Sequence, residues 1–282
     1  MIRITVVLLS LMLAQMAHAG DKFITLASTT STQNSGLFGV ILPQFTAQTG
    51  IDVHVIAVGT GQALRIGRNG DADVLLVHHR PSENKFVAEG YGIDRLDVMY
   101  NDFVIVGPKS DPAKIANSKN VVEAFTKIAK SKSLFASRGD DSGTNKKELE
   151  IWAQAGINPT GSWYMQTGSG MGATLNLSRI KDSYTMTDRG TWITFGNKGD
   201  LVRLYSGDPG LFNPYGVILI NPARHPQTKV KLARIFEEWL VSDIGQKAIS
   251  DFRIEGQQAF CPNAKNTTSA VKDKEACPAE TK

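Results

Sequence analysis

The sequence predicts an α/β fold, and two observations support this prediction. Short apolar runs rich in Val, Ile and Phe recur along the chain, as expected of buried strands. Between them lie stretches whose apolar residues recur at steps of three and four, as in helices that pack on one face. Alternation of strands and helices is typical of parallel sheets covered by helices on both faces.

The individual elements follow from these patterns. The predicted strands are residues 23–27, 51–58, 73–77, 103–106, 133–136 and 215–220. A helix is predicted over residues 36–48 and another over residues 145–155, where Leu149, Trp152 and Ala153 share one side. The stretch 228–252 predicts two helices broken at Gly245, because glycine weakens a helix interior.

Length and composition exclude several classes of protein. The chain has 282 residues, of which 41% are hydrophobic and 8% aromatic, so it can bury one large core or two smaller ones. A disordered chain would have fewer hydrophobic residues, and a disulfide-built miniprotein would be shorter and richer in cysteine. The formal net charge of +4 comes from 31 basic and 27 acidic residues that alternate along most of the chain. A nucleic-acid partner is therefore not expected.

The first residues have the pattern of a secretory signal peptide. Arg3 precedes an uncharged, mostly apolar run over residues 4–16, and Ala17-His18-Ala19 offers small residues at a cleavage site. We expect residues 1–19 to be removed and the mature protein to lie in the periplasm. The run is shorter than the roughly 20 residues that span a bilayer. A buried N-terminal helix is the alternative interpretation.

The two cysteines, Cys261 and Cys277, both lie near the C-terminus. In an oxidising compartment they are expected to form a disulfide, worth roughly 3 kcal/mol in the chain-entropy model. A zinc site is the weaker alternative, because zinc prefers four ligands and no His lies near either cysteine in the sequence.

Loops of Ser, Thr and Gly follow several predicted strands and precede helices. These loops are residues 28–32, 58–64, 137–144 and 168–174. Helix N-termini present free backbone N–H groups, glycines allow close approach, and hydroxyls add donors, so converging loops of this kind would bind an anion. The alternative is that each loop only caps its helix, since Ser, Thr and Asp are common caps.

Other motifs are weaker. Residues 168–173 match a loose dinucleotide fingerprint but lack a strong preceding strand, and an exported protein meets little nicotinamide cofactor. Asp141-Ser142-Gly143 has no accompanying His and Asp segments of a serine hydrolase. His78 and His79 are adjacent in a strand and point to opposite faces, so structural roles are expected for them instead of a shared metal. No enzymatic activity and no cofactor are predicted.

A family resemblance rests on seven segments. They are residues 28–31, 58–64, 70–77, 99–106, 137–144 and 170–172 and the pair Gly245-Gln246. In this order they resemble the tungstate-binding proteins of bacterial ABC uptake systems, from about Phe23 to Phe252. The chain is more distantly similar to phosphate- and molybdate-binding periplasmic proteins. It departs from the family at Asn145, where His is frequent, and in the tail after Phe260.

The resemblance implies a two-lobed periplasmic binding protein of type II, with the ligand cleft between the lobes. Residues 20–105 and 208–260 would form lobe I, residues 106–207 lobe II, and residues 261–282 a C-terminal tail. The implied partners are a permease and its ATPase, and the protein would be a monomer. The family's sites imply that the oxyanion is bound by Thr29, Thr30, Thr60, Arg138, Ser142, Gly143 and Thr144, with Ser169 and Gly170 as further contacts.

The chemistry of these residues suits a fully deprotonated tetrahedral dianion. Such an ion only accepts hydrogen bonds, and the implied site consists of hydroxyls, backbone N–H groups and one guanidinium. Monohydrogen phosphate would also need an acceptor, which Asp140 or Asp141 could supply, although both are interpreted here as helix-start residues. Tungstate is preferred over molybdate through the resemblance alone. Molybdate, phosphate and sulfate remain alternatives, and a secreted hydrolase is a distant one.

Overall fold

The computed structural model describes residues 22–264. The strands are β1 (Phe23–Thr29), β2 (Asp52–Val58), β3 (Val74–Val77), β4 (Gly92–Pro108), β5 (Phe135–Ser137), β6 (Tyr164–Gln166), β7 (Thr185–Asp188), β8 (Leu201–Tyr205), β9 (Phe212–Ile220), β10 (Arg253–Ile254), β11 (Gln257–Gln258) and β12 (Cys261–Pro262). The helices are α1 (Thr30–Asn34), α2 (Leu37–Thr49), α3 (Thr60–Asn69), α4 (Arg80–Ala88), α5 (Val121–Ser131), α6 (Gly143–Gln154), α7 (Met171–Lys181), α8 (Arg189–Thr194), α9 (Val230–Val241) and α10 (Asp243–Asp251). The predicted signal peptide, residues 1–19, and Cys277 lie outside the described residues, so both predictions stand untested.

The first sheet is mixed, whereas the sequence predicted parallel sheets. Its strand order is β12-β4-β9-β3-β1-β2. β1 is parallel to β2 and β3, but β9 lies antiparallel between β3 and β4, with Val74 opposite Leu219. A strand that returns from a distant part of the chain can enter the sheet in either direction. The spacing of apolar residues within a strand does not indicate that direction.

The long strand β4 joins this first sheet to a second one. Its residues 92–102 pair with β9, and its residues 103–108 pair with β7 and β8. Next to this second sheet, β5 pairs with β6, and Phe135 of β5 forms an isolated bridge with Tyr184 just before β7. The sequence predicted only residues 103–106 as a strand. The start of β4 alternates partly buried and exposed positions over residues 93–97. It includes Arg95 and Asp97, which pair with each other, so it lacks an apolar run.

Each sheet has its own hydrophobic core, and this makes the molecule two-lobed. One core packs β1, β3 and β9 against α2 and α9, with the rings of Phe45 and Phe236 at 5.0 Å. The other packs α5 and α6 on the second sheet, with Phe125 and Trp152 at 4.4 Å. The predicted two-lobed α/β fold is confirmed.

Two details of the predicted helices are wrong. The break in the C-terminal helix pair lies at Ser242 and not at Gly245, because the Ser242 side chain caps α10 by accepting from the Gly245 N–H. In α6 the buried side carries Glu148, Ile151 and Trp152, while Leu149 and Ala153 are exposed. Glu148 lies on the buried side because polar side chains of the lobe interior donate hydrogen bonds to its carboxylate. Within residues 22–264 no helix is long and apolar enough to cross a membrane.

Candidate anion site

The predicted loops lie where strands end and helices begin. β1 runs directly into α1, β2 is followed by α3 after Gly59, and β5 leads through residues 138–142 into α6. Thr29 and Ser142 cap their helices, accepting from the N–H groups of Thr32 and Asn145. The capping alternative raised by the sequence therefore holds for these two side chains.

The loops of the two lobes touch each other. The Gly61 N–H at the start of α3 donates to the Asp141 carbonyl before α6 at 3.3 Å. Arg65 of α3 also pairs with the Asp141 carboxylate at 3.4 Å. On the same side of the molecule, Nε2 of His79 lies 2.9 Å from the Glu150 carboxylate of α6. The N-terminal ends of α3 and α6 thus approach each other across the cleft.

Three side chains of the predicted site carry buried polar atoms without a hydrogen-bond partner among the described residues. The atoms are Oγ1 of Thr60, Nε of Arg138 and Oγ1 of Thr144. All three residues are at most 4% exposed. An unpaired buried donor costs about 1 to 3 kcal/mol, so a ligand that accepts from these atoms would remove that cost.

Arg138 is held by its own loop. Its Nη2 lies 2.5 Å from the Asp140 carboxylate, whose other oxygen accepts from the Ser142 N–H at 3.2 Å. Asp140 is therefore occupied at the helix start, as the sequence predicted, and it also orients the guanidinium. The pair leaves Nε of Arg138 unpartnered among the described groups.

The remaining residues of the predicted site differ in how far they are buried. Thr30 is half-buried at the start of α1. The Ser169 N–H donates to the Arg138 carbonyl at 3.3 Å, which places this loop against Arg138, and Gly170 is the exposed cap of α7. Gly143 is the first residue of α6 and lies beside Thr60.

Comparison with known proteins identifies the superfamily to which the chain belongs. The family model described as the PBP superfamily domain matches residues 14–243. The chain belongs to the PBP superfamily.

Several superfamily members are close in sequence or structure. A protein from Peptoclostridium acidaminophilum named tungstate-binding protein TupA is 47% identical over 245 residues, which is 86% of each chain. The structure titled as the tungstate ABC transporter from Geobacter sulfurreducens is 50% identical, covers 82% of this chain and 98% of that one, and has a TM-score of 0.75. TupA from Desulfovibrio alaskensis G20 is 46% identical over 86% of this chain and all of that one, also with a TM-score of 0.75. The resemblance inferred from the sequence is confirmed.

His78, for which the sequence predicted a structural role, is buried in this PBP-superfamily chain beside the start of α6. Its Nδ1 lies 2.9 Å from Oδ1 of Asn213, its Nε2 lies 3.4 Å from Oγ of Ser31, and its ring stacks on Tyr215. Burial, together with the positive charge of Arg138, lowers the pKa of His78 to about 4. The imidazole is therefore neutral at pH 7. Asn213 is 135 residues away in sequence, and no local pattern could have linked the two.

Asp188 was not predicted from the sequence, although the charge of Arg138 acts on its carboxyl group. It is buried at the end of β7 and caps α8 through Thr191, accepting from its N–H at 2.9 Å and from its hydroxyl at 2.6 Å. Burial raises the pKa of Asp188, while these hydrogen bonds and the charge of Arg138 act in the opposite direction. A helix cap just after a short strand was the only available sequence signal.

Glu148 holds the loop that carries Arg138 through hydrogen bonds. Its carboxylate accepts from Ser137, Tyr164 and Trp152 at 2.7, 2.7 and 3.0 Å. Asn145 extends this network, donating to Oγ of Ser137 and accepting from the Asp141 N–H, both at 3.3 Å. Burial raises the pKa of Glu148 to about 7 against these hydrogen bonds. The loop that carries Arg138 is thus fixed at both ends.

The set of groups fits an anion better than a cation. Among the described residues, no group of three or more His, Cys, Asp or Glu side chains is arranged to bind a metal ion. The unpartnered atoms are donors or hydroxyls, and two helix N-termini add partial positive charge at the same place.

Proposed function

We propose that this protein binds tungstate in the periplasm and delivers it to an ABC importer. The membrane partners would be a permease and an ATPase, and the mature protein would act as a monomer without a cofactor and without enzymatic activity. The lobes would comprise residues 20–105 with 208–260, and residues 106–207, followed by the tail 261–282.

We further propose that the oxyanion is held by the set of residues that the family resemblance implies. These are Thr29, Thr30, Thr60, Arg138, Ser142, Gly143, Thr144, Ser169 and Gly170. The observation that supports this most strongly is the presence of unpartnered buried atoms on Thr60, Arg138 and Thr144. Thr60 belongs to one lobe and the other two to the second, so one ion between the lobes would satisfy both sides.

The ligand's charge follows from the same groups. A dianion without a proton accepts hydrogen bonds from every direction, which matches a site of hydroxyls, N–H groups and a guanidinium. The two carboxylates that the sequence offered as acceptors for a phosphate proton, Asp140 and Asp141, are engaged in ion pairs. We propose that they serve these pairs and the start of α6 instead of accepting the proton of monohydrogen phosphate. The names of the close relatives support tungstate among the remaining dianions.

Calorimetric titration of the mature protein with tungstate, molybdate, sulfate and phosphate tests the proposal. We expect saturable binding of tungstate, with phosphate and sulfate much weaker. Thr60→Val and Thr144→Val should each weaken tungstate binding about tenfold to a hundredfold, as expected for a hydrogen bond to a charged group. The matched control is Thr126→Val, because that hydroxyl donates to the Val122 carbonyl within α5, outside the site. Equal affinity for all four ions, or none, would contradict the proposal.

A further inference from the structure

Two glycines lie where the lobes meet. Gly61 is the second residue of α3 in one lobe, and Gly143 is the first residue of α6 in the other. A Cβ atom at position 61 would lie 1.7 Å from Oδ2 of Asp141 and 3.1 Å from its carbonyl oxygen. At position 143 it would lie 2.6 Å from Cε1 of His78 and 3.0 Å from Oγ1 of Thr60. Each glycine thus faces the opposite lobe at a distance shorter than a Cβ atom normally keeps from its neighbours.

Backbone conformation does not explain these glycines. Neither belongs to the glycines with positive φ, so any residue could adopt their backbone angles. Both lie in the first turn of a helix, and helices favour alanine over glycine, by about 0.5 to 1 kcal/mol in a helix interior. The close approach of the two lobes therefore explains why these positions have no side chain.

The neighbours of Gly143 cannot move aside easily. The His78 ring is held between Asn213 and Tyr215, and both His78 and Thr60 are buried. The neighbour of Gly61 is more adaptable, because the Asp141 carboxylate is about half exposed and can rotate toward solvent. A methyl group should therefore separate the lobes more at position 143 than at position 61.

We propose that Gly61 and Gly143 set how closely the two lobes approach, and that they are positioning residues for anion binding. The inference rests on the proposed function, because only a ligand held from both sides benefits from this approach. Alanine at either position leaves every proposed donor in place. It widens the gap between Thr60 on one lobe and Arg138 and Thr144 on the other.

The test compares Gly143→Ala and Gly61→Ala with Gly39→Ala. A Cβ at position 39 would meet no atom within 4 Å, and Gly39 also lies in a helix, outside every loop of the proposed site. We expect Gly143→Ala to weaken tungstate binding by at least about tenfold, the factor for one hydrogen bond to a charged group. Gly61→Ala should weaken it less, and the Gly39→Ala control should bind as the parent does.

Solution scattering separates this role from a role in folding. With saturating tungstate, Gly143→Ala should keep a larger radius of gyration than the parent, while its ligand-free melting temperature stays at or above that of the parent. Parent-like affinity of Gly143→Ala would overturn the inference. So would a lower ligand-free melting temperature combined with full compaction. A parent that does not bind tungstate would overturn both proposals, whereas a parent and a Gly143→Ala variant that bind equally would overturn only this one.

Discussion

At the scale of single residues, the nitrogens of Arg138 have different surroundings. Nη2 pairs with Asp140, whereas Nε has no partner among the described groups. A guanidinium oriented through one nitrogen can present another to an anion without first losing side-chain freedom. The ion pair inside the loop and the proposed binding role are therefore compatible.

Arg138→Ala should reduce tungstate affinity roughly thirtyfold to several thousandfold. Removing one member of a buried charge pair costs about 2 to 5 kcal/mol, and Arg138 is the only cation in the predicted donor loops. Arg138→Lys should recover part of the affinity, because the charge returns without the planar fork. Calorimetry on the three proteins measures this. A melting temperature that falls while affinity stays within a few-fold of the parent would assign Arg138 to loop stability alone.

Glu148→Gln should change how stability depends on pH. The pKa of Glu148 is raised from 4.5 to about 7 by burial, so ionisation of this carboxyl disfavours the folded state. The parent should lose stability as pH rises from about 4.5 to about 7, with no further change above. Glutamine lacks this loss, so the variant should gain on the order of 3 kcal/mol relative to the parent over that window.

Urea unfolding of both proteins at several pH values measures the difference. His78, whose pKa is lowered to about 4, contributes a slope of opposite sign in both proteins and cancels in the comparison. Glu237→Gln in the other lobe should show a change of the same sign, because burial also raises the pKa of Glu237 to about 7. A constant difference between Glu148→Gln and the parent from pH 4 to pH 8 would contradict the assignment.

At the scale of elements, the junction of α9 and α10 depends on a close backbone contact. Ser242 is extended between the two helices, and Gly245 follows in the first turn of α10. A Cβ at Gly245 would lie 2.1 Å from the Trp239 carbonyl oxygen. That atom is backbone and cannot rotate away, so the angle between the two helices requires glycine here.

Gly245→Ala should destabilise the protein by about 2 kcal/mol or more, the upper part of the range for overpacking. Thermal unfolding without ligand measures this, with Gly39→Ala as the control, since a methyl group there meets nothing within 4 Å. Equal melting temperatures for the two variants would show that the helix junction adapts.

Local chemistry made some elements and loops predictable. The predicted ranges of β1, β3 and α2 differ from the observed ones by one or two residues at most. Each of these elements is determined by an apolar pattern within its own few residues. The loop at Ser142 was found because a helix cap is a local feature. Features set by distant partners were missed, such as the polar half of β4, whose Arg95 pairs with Glu83, and the link between His78 and Asn213.

At the scale of the whole molecule, tungstate should bring the lobes together. The proposed donors lie on both lobes, so only a closed cleft satisfies the ion on all sides. Scattering should show a smaller radius of gyration with tungstate than without it. The free energy of unfolding should rise by about 4 kcal/mol when tungstate is a thousandfold above its dissociation constant. Unchanged scattering at calorimetric saturation would contradict closure.

The mature chain should begin at Gly20 and contain a Cys261–Cys277 disulfide. Cys261 lies in β12, where it is opposite Tyr100 of β4, so a disulfide would tie the C-terminal tail to the first sheet. Intact mass of protein recovered from the periplasm, with and without reductant, measures both features. Retention of Met1, or two thiols that react before reduction, would contradict them.

The position of β9 between β3 and β4 also affects the order in which the chain can fold during synthesis. A nascent chain that ends before Phe212 has made β1 to β4, but β3 and β4 still lack the strand that separates them. Lobe I therefore cannot complete its sheet until most of the polypeptide has left the ribosome. Pairings this distant in sequence form slowly. That delay would keep the newly made chain loosely structured for long enough to be threaded through a translocation channel before it folds.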